Sequence, residues 1–231
     1  MSVHLTEEEQ IESLKRWWKD YGKSVVVAAV IAVAAYLGWG SWKDQQRAKA
    51  EKASATYEQL VKLINQEPGK VMSDTDRSMA TQYASELKSG NNKSFYAQTA
   101  AFFLAKVAVE DNKLDQAVAE LQWVLSAKPD VTTEQIARLR LAKVLTAKQS
   151  LDDALAQLAQ EPAAALASDY AEARGDIYKL QGNLEKARSS YEAALTASNA
   201  QQQERYMLLQ MKVDDLKLLE PANEASAEKA Q

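Results

Sequence analysis

Residues 175–194, GDIYKLQGNLEKARSSYEAA, hold two apolar patterns of helical spacing that meet at Gly182. A glycine followed by a polar residue is a helix-stop and turn signal. Gly175 and Ala187 are small enough to let two antiparallel helices approach closely, and Tyr191 is large enough to fill the groove beside them. The stretch therefore predicts a helical hairpin.

The start of the second helix in this hairpin recurs twice upstream. The three copies begin at Leu114, Leu151 and Leu184, so they lie 37 and 33 residues apart. This period, with small and aromatic residues at fixed places, is typical of the tetratricopeptide pattern. Each hairpin leaves an apolar face that only the next one covers, so the units are expected to stack. The copies read Leu114-Asp115-Gln116-Ala117, Leu151-Asp152-Asp153-Ala154 and Leu184-Glu185-Lys186-Ala187.

The copy at residues 135–161 departs from the pattern, because Glu161-Pro162 stops its second helix early. A helical bundle without superhelical curvature is the alternative that alanine and leucine periodicity leaves open. Three copies in register favour stacked hairpins.

A second feature, the segment Ser24–Trp42, contains no charged residue. Nineteen helical residues span about 28 Å, close to the thickness of a bilayer's hydrocarbon core. A cleaved signal sequence is the alternative, with Ala32-Val33-Ala34 as its cleavage site. The longer apolar run and the acidic residues before it favour a transmembrane anchor. Aromatic residues suited to both membrane interfaces stand at its two ends: three precede the segment and two end it, namely Trp17, Trp18 and Tyr21, then Trp39 and Trp42.

One face of this predicted transmembrane helix is small. Ala28, Ala32 and Ala35 lie on that face, which would allow another membrane helix to pack closely against it. The alternative is that alanine is simply common in this chain. Four Lys or Arg residues lie close to each end of the span, so charge does not determine its orientation.

The fold predicted from these patterns is all-α, with a single N-terminal transmembrane helix followed by a tetratricopeptide-like α-solenoid of stacked helical hairpins. A polar C-terminal end that opens with Glu220-Pro221 is expected to be disordered. The predicted parts are an amphipathic tail (1–23), the transmembrane helix (24–42), a helical connector with N-terminal helices (43–96), repeats with a C-terminal capping helix (97–219) and a disordered tail (220–231).

Composition argues against several kinds of function. The chain has no cysteine, and its single histidine is His4, so the folded domain can contain neither a thiol nucleophile nor a histidine-based triad. A net charge of −4 gives no electrostatic case for nucleic-acid binding. No glycine-rich phosphate loop is present. We expect no catalytic residues, no cofactor and no metal, although a carboxylate-only hydrolase stays open in principle.

A stack of hairpins offers an inner groove for a peptide or a partner helix. In the register above, this groove would combine apolar residues, which supply burial, with charges that set the register of the ligand. For each single residue an ordinary core or solvated position is the alternative. The predicted groove residues are Phe102, Lys106, Val109, Leu139, Lys143, Glu172, Asp176 and Lys179.

The whole layout resembles the YfgM family of membrane-anchored tetratricopeptide proteins. The resemblance is carried by residues 10–18 (QIESLKRWW), Gly22-Lys23, Gly38-Trp39, residues 139–144 (LRLAKV) and residues 182–192 (GNLEKARSSYE). It covers nearly the full chain except the polar residues after Leu219.

The resemblance implies a non-catalytic ancillary subunit of the SecYEG translocon in the bacterial inner membrane, with residues 1–23 cytoplasmic and the repeats periplasmic. It also implies association with the periplasmic chaperone PpiD and the holding of newly exported, unfolded polypeptides. Two alternatives are a membrane-tethered scaffold for envelope assembly or cell division, and an enzyme with acidic catalysis.

Overall fold

The computed structural model describes the backbone of residues 7–65, 72–90, 94–198 and 203–228. The chain divides into two compact units, residues 1–55 and residues 56–231. Within the described ranges every regular element is helical, as the sequence predicted. The first six residues of the predicted tail lie outside the described part.

The first unit is helical. Helix α1, Glu7–Ile64, runs through the predicted tail, the apolar segment and the connector, and its last residues belong to the second unit. Among the described residues it is the helix long and apolar enough to cross a membrane. The indole of Trp18 lies on Gly22, where an added Cβ would be 3.2 Å from the ring. The residues that flank and fill the apolar segment expose large side chains, as a surface facing lipid would.

The second unit consists of sequential helices, each packed on its neighbour in the chain. Three hairpins, α3–α4, α5–α6 and α7–α8, stand between α2 on one side and α9 on the other. The helices are α2 (Asp74–Gly90), α3 (Phe95–Glu110), α4 (Leu114–Ser126), α5 (Val131–Ala147), α6 (Leu151–Gln157), α7 (Ala167–Leu180), α8 (Leu184–Ala197) and α9 (Gln203–Glu228), with a short 3₁₀ helix at Ala164–Leu166 before α7.

The three hairpins share one turn, which explains why their second helices start at the predicted residues. In each, the second residue after the first helix has positive φ: Asn112 (58°), Gln149 (63°) or Gly182 (77°). This left-handed residue lets the next amide reach back to the last helical turn. The amides of Lys113, Ser150 and Asn183 donate to the carbonyls of Ala108, Leu145 and Tyr178 at 2.7, 2.9 and 2.9 Å.

Small residues set the close spacing inside each hairpin. Ala105, Ala117 and Ala187 are buried in the hairpin cores. At Gly175 an added Cβ would lie well inside van der Waals contact with the ring of Tyr191, so this position requires glycine. Gly175 therefore allows the close approach of the two helices and Tyr191 fills the space between them, as the sequence predicted.

The structure also bears on the short second hairpin and on the C-terminal end of the domain. Helix α6 ends at Gln157, so the early stop in the second repeat is present. Helix α9 covers α8 with Leu209, Val213 and Leu216, all buried, as expected of a capping helix. Its backbone continues to Glu228, past Leu219, where the sequence places the end of the folded domain. Disorder of the tail from residue 220 stays a prediction.

Candidate functional site

An open apolar cavity lies between the first helices of two adjacent hairpins, α3 and α5. We call it the α3–α5 cleft. Its volume is about 640 Å³, within the range of pockets that hold small ligands or peptide side chains. Helix α4 supplies Leu114 and Leu121, and Ile64 at the end of α1 closes one side. The remaining lining residues are Thr99, Phe102, Phe103, Ala105, Lys106, Val109, Glu110, Arg140, Lys143, Val144 and Ala147.

Helix α3 presents Phe102, Lys106 and Val109 to the cleft because these positions recur every three or four residues on one helical face. The helix starts where the Ser94 hydroxyl accepts a hydrogen bond from the Ala97 amide at 3.1 Å. Its opposite face is rich in buried alanine, so the large side chains are left on the cleft side. Val109 remains 43% exposed and is open to a ligand.

Helix α5 presents Arg140, Lys143, Val144 and Ala147 by the same spacing. Asp130 caps its start and accepts hydrogen bonds from the amides of Thr132 and Thr133 at 3.0 and 3.1 Å. The Thr133 hydroxyl donates a further hydrogen bond to this carboxylate, which lowers the pKa of Asp130. The cap fixes where α5 begins and thereby which of its residues reach the cleft.

The rim of the cleft is positively charged. Three cations, Lys106, Arg140 and Lys143, and one carboxylate, Glu110, line it. Glu110 already lies 3.3 Å from Arg77 and 3.8 Å from Lys106. Within the described part of the chain, no carboxylate lies within ion-pair distance of Arg140 or Lys143. The cleft is therefore a local positive surface on a chain of net charge −4.

Arg140 joins the charge to the apolar floor. Its guanidinium lies 4.6 Å from the centre of the Phe102 ring, a cation–π contact across the cleft. The residue as a whole is exposed, but partial desolvation of its guanidinium by neighbouring side chains lowers the pKa of Arg140, which stays charged at any physiological pH. A partly dehydrated cation on an aromatic ring is well placed to bind an incoming anion.

The predicted groove residues fall into three groups. Phe102, Lys106, Val109 and Lys143 line the α3–α5 cleft. Leu139 is 7% exposed and packs in the main hydrophobic core. The remaining three, Glu172, Asp176 and Lys179, lie on α7 and form ion pairs with α9.

The α7–α9 contact is a network of charges. Lys212 lies 2.8 Å from Glu172 and 2.6 Å from Asp176. Arg205 bridges Glu172 and Asp169 at 3.0 and 2.8 Å. Asp176 also accepts a hydrogen bond from the Tyr191 hydroxyl at 2.8 Å. These carboxylates hold the capping helix, and each of them has a cation partner on α9.

Burial and hydrogen bonding act in opposite directions on Lys212. Burial works to lower the pKa of its ammonium group, but the hydrogen bonds to Asp176 and Glu172 outweigh it, and the pKa is raised. Burial raises the pKa of Tyr191, and its hydrogen bond to Asp176 adds to the effect. Both side chains keep the proton that the network needs.

The sequence missed Arg140 as a cleft residue. Its signal is present, because Arg140 precedes Lys143 by three residues and Val144 by four and so shares their face. Leu139 satisfies a similar spacing, and only the packing of α5 against its neighbours separates the two. Within the described ranges, no group of three or more His, Asp or Glu residues could hold a metal ion.

Known proteins resemble this chain over most of its length. A family model described as a tetratricopeptide repeat-like domain matches residues 15–218. A protein of Aggregatibacter actinomycetemcomitans named "Ancillary SecYEG translocon subunit" is 31% identical over 94% of this chain and its own full length. The chain belongs to the YfgM family.

Two further YfgM family members have the same name and similar coverage. The proteins of Haemophilus influenzae and Escherichia coli K12 are each 29% identical over 94% of this chain and over their own full length. Among solved structures, none matches this chain. The YfgM family match includes both the apolar segment and the repeats, so the membrane-length helix and the α3–α5 cleft lie within one family architecture.

Proposed function

We propose that this protein is a non-catalytic, membrane-anchored ancillary subunit of the SecYEG translocon, whose repeat domain holds newly exported polypeptide segments. Two findings support the proposal. Curated relatives that align over their full length are named as translocon subunits, and the domain has an open apolar cleft between adjacent repeats.

The observation that carries the binding role is the composition of the α3–α5 cleft. Its floor is made of Phe102, Val109 and Val144, and two of its three cations lack a carboxylate partner among the described side chains. Covering solvated apolar surface of this kind with an unfolded segment lowers the free energy of the system, because both apolar surfaces leave water. Charges at its edge favour particular registers of the bound segment.

The rest of the proposal concerns place and partners. A single span with a cytoplasmic N-terminus would hold the repeats in the periplasm, beside the exit of the translocon in the inner membrane. There the domain would receive segments as they emerge, together with the periplasmic chaperone PpiD. Tethering raises the local concentration of a weak binding site, so a modest affinity suffices.

Photocrosslinking in living cells tests this function. A photoreactive amino acid at Lys106 or Lys143 in the full-length protein should crosslink to polypeptides during their export. The same amino acid at Glu185, exposed at the start of α8, serves as the matched control. Crosslinks that form only from Glu185 would contradict the use of the cleft.

Purification in mild detergent tests the partner. Enrichment of SecYEG and PpiD is the expected result. Enrichment of an envelope-assembly or cell-division complex in their place would contradict the proposal.

A further inference from the structure

We infer that the α3–α5 cleft selects apolar polypeptide segments that carry an acidic side chain, which binds between Arg140 and Lys143. The inference rests on the proposed polypeptide-binding function and adds the chemical class of the segment. It starts from the contrast between an apolar floor and unpaired cations at its edge.

The two cations are placed to share one carboxylate. Arg140 and Lys143 are three residues apart on α5, so their Cβ atoms lie roughly 5–6 Å from each other on one helical face. No carboxylate in the described ranges neutralises either one, whereas Lys179, Arg205 and Lys212 each form an ion pair between α7 and α9. In the α7–α9 network the domain supplies carboxylates for its cations. In the α3–α5 cleft it supplies none for Arg140 and Lys143, so a ligand can provide one.

Arg140 is held ready for this anion. Its stacking on Phe102 restricts the side chain and removes part of its water, so less entropy and hydration are lost when a carboxylate arrives. A guanidinium can also donate two parallel hydrogen bonds to a carboxylate. Lys143 adds a second positive charge without a fixed geometry.

The layout fits a peptide better than a lipid with an anionic head. The cations are spread along the cleft, with Lys106 on α3 and the other two on α5, and apolar residues lie among them. A chain that runs along the cleft can place an acidic side chain at the edge and apolar side chains on the floor. A lipid needs its charges gathered at one mouth.

Fluorescence anisotropy with full-length protein in detergent tests the inference. Three labelled peptides share Leu and Phe positions and carry Asp and Glu, the amides Asn and Gln, or Lys between them. We expect the acidic peptide to bind about tenfold more tightly than its amide counterpart, as one charge-assisted contact predicts. Because the contact is solvent-accessible, the difference should shrink at high salt.

Variants assign the effect to the two cations. Arg140→Gln and Lys143→Gln should bring the affinity for the acidic peptide close to that for the amide peptide, and should leave binding of the amide peptide unchanged. Lys186→Gln on α8 removes an exposed cation away from the cleft and should change neither affinity. Circular dichroism checks that each variant keeps its helical content.

The outcomes separate this inference from the function beneath it. Equal binding of the acidic and amide peptides, or an unchanged preference in Arg140→Gln and Lys143→Gln, would overturn the acidic selectivity and leave polypeptide binding intact. Anionic phospholipid vesicles serve as a competitor. If they displace the bound acidic peptide from the cleft, the inference is also overturned. If none of the three peptides binds, the proposed function itself fails.

Discussion

At the scale of single residues, the contact between Gly175 and Tyr191 sets how closely α7 and α8 approach. Gly175→Ala would add a Cβ into the buried ring of Tyr191. Alanine favours a helix over glycine by about 1 kcal/mol, but overpacking a core costs about 1–3 kcal/mol. Since a buried ring has little room to move, we expect a net loss of about 1–2 kcal/mol in the free energy of unfolding, measured by urea denaturation in detergent.

Gly90→Ala is the matched control, because nothing lies within 4 Å of an added Cβ there. Gly90 is the last residue of α2, outside the helix interior where the preference for alanine applies in full, so that variant should change the free energy of unfolding by less than about 0.5 kcal/mol. Equal stability of Gly175→Ala and the parent protein would mean that the hairpin can separate without cost, contrary to the packing described.

At the scale of helices, the docking of α9 depends on buried charge pairs more than on exposed ones. Lys212 is only 25% exposed and lies beside Glu172, which is 15% exposed. Lys212→Ala would leave Asp176 without a cation and would leave the partly buried Glu172 with Arg205 alone. The expected loss is about 1–2 kcal/mol in the free energy of unfolding, read from urea denaturation and from faster amide hydrogen exchange in α9.

Lys179→Ala serves as the control, since it removes the other α7–α9 pair, with Asp215, in which both side chains are more exposed. That loss should stay below about 0.5 kcal/mol. The pKa of Lys212 is raised above 10.5 in the fold, so its contribution is fully present below pH 10.5 and disappears as pH rises through the folded-state value. Equal effects of the two substitutions would contradict this ranking.

These helices also show what sequence can and cannot predict. The starts of α4, α6 and α8 were predictable because turn chemistry is local: each turn needs only a residue that tolerates positive φ and an amide that reaches back. The shared partner of Glu172 and Asp176 was not predictable, because Lys212 lies 40 and 36 positions away from them on α9. Leu139 and Arg140 are neighbours in sequence, and only the packing of α5 buries one and exposes the other.

At the scale of the whole molecule, partner binding is proposed for two surfaces, one on the membrane-length helix and one on the repeat domain. The small face of Ala28, Ala32 and Ala35 is exposed along the first of these surfaces. Ala28→Leu with Ala32→Leu would keep the segment apolar but fill the space that a second membrane helix needs for close approach. We expect several-fold less SecYEG to co-purify in mild detergent, a loss of about 1 kcal/mol in association, while peptide binding by the α3–α5 cleft stays unchanged.

Ala29→Leu with Ala34→Leu adds the same apolar volume away from that face and should leave co-purification intact. Equal co-purification by both double variants would show that the alanine face has no part in docking.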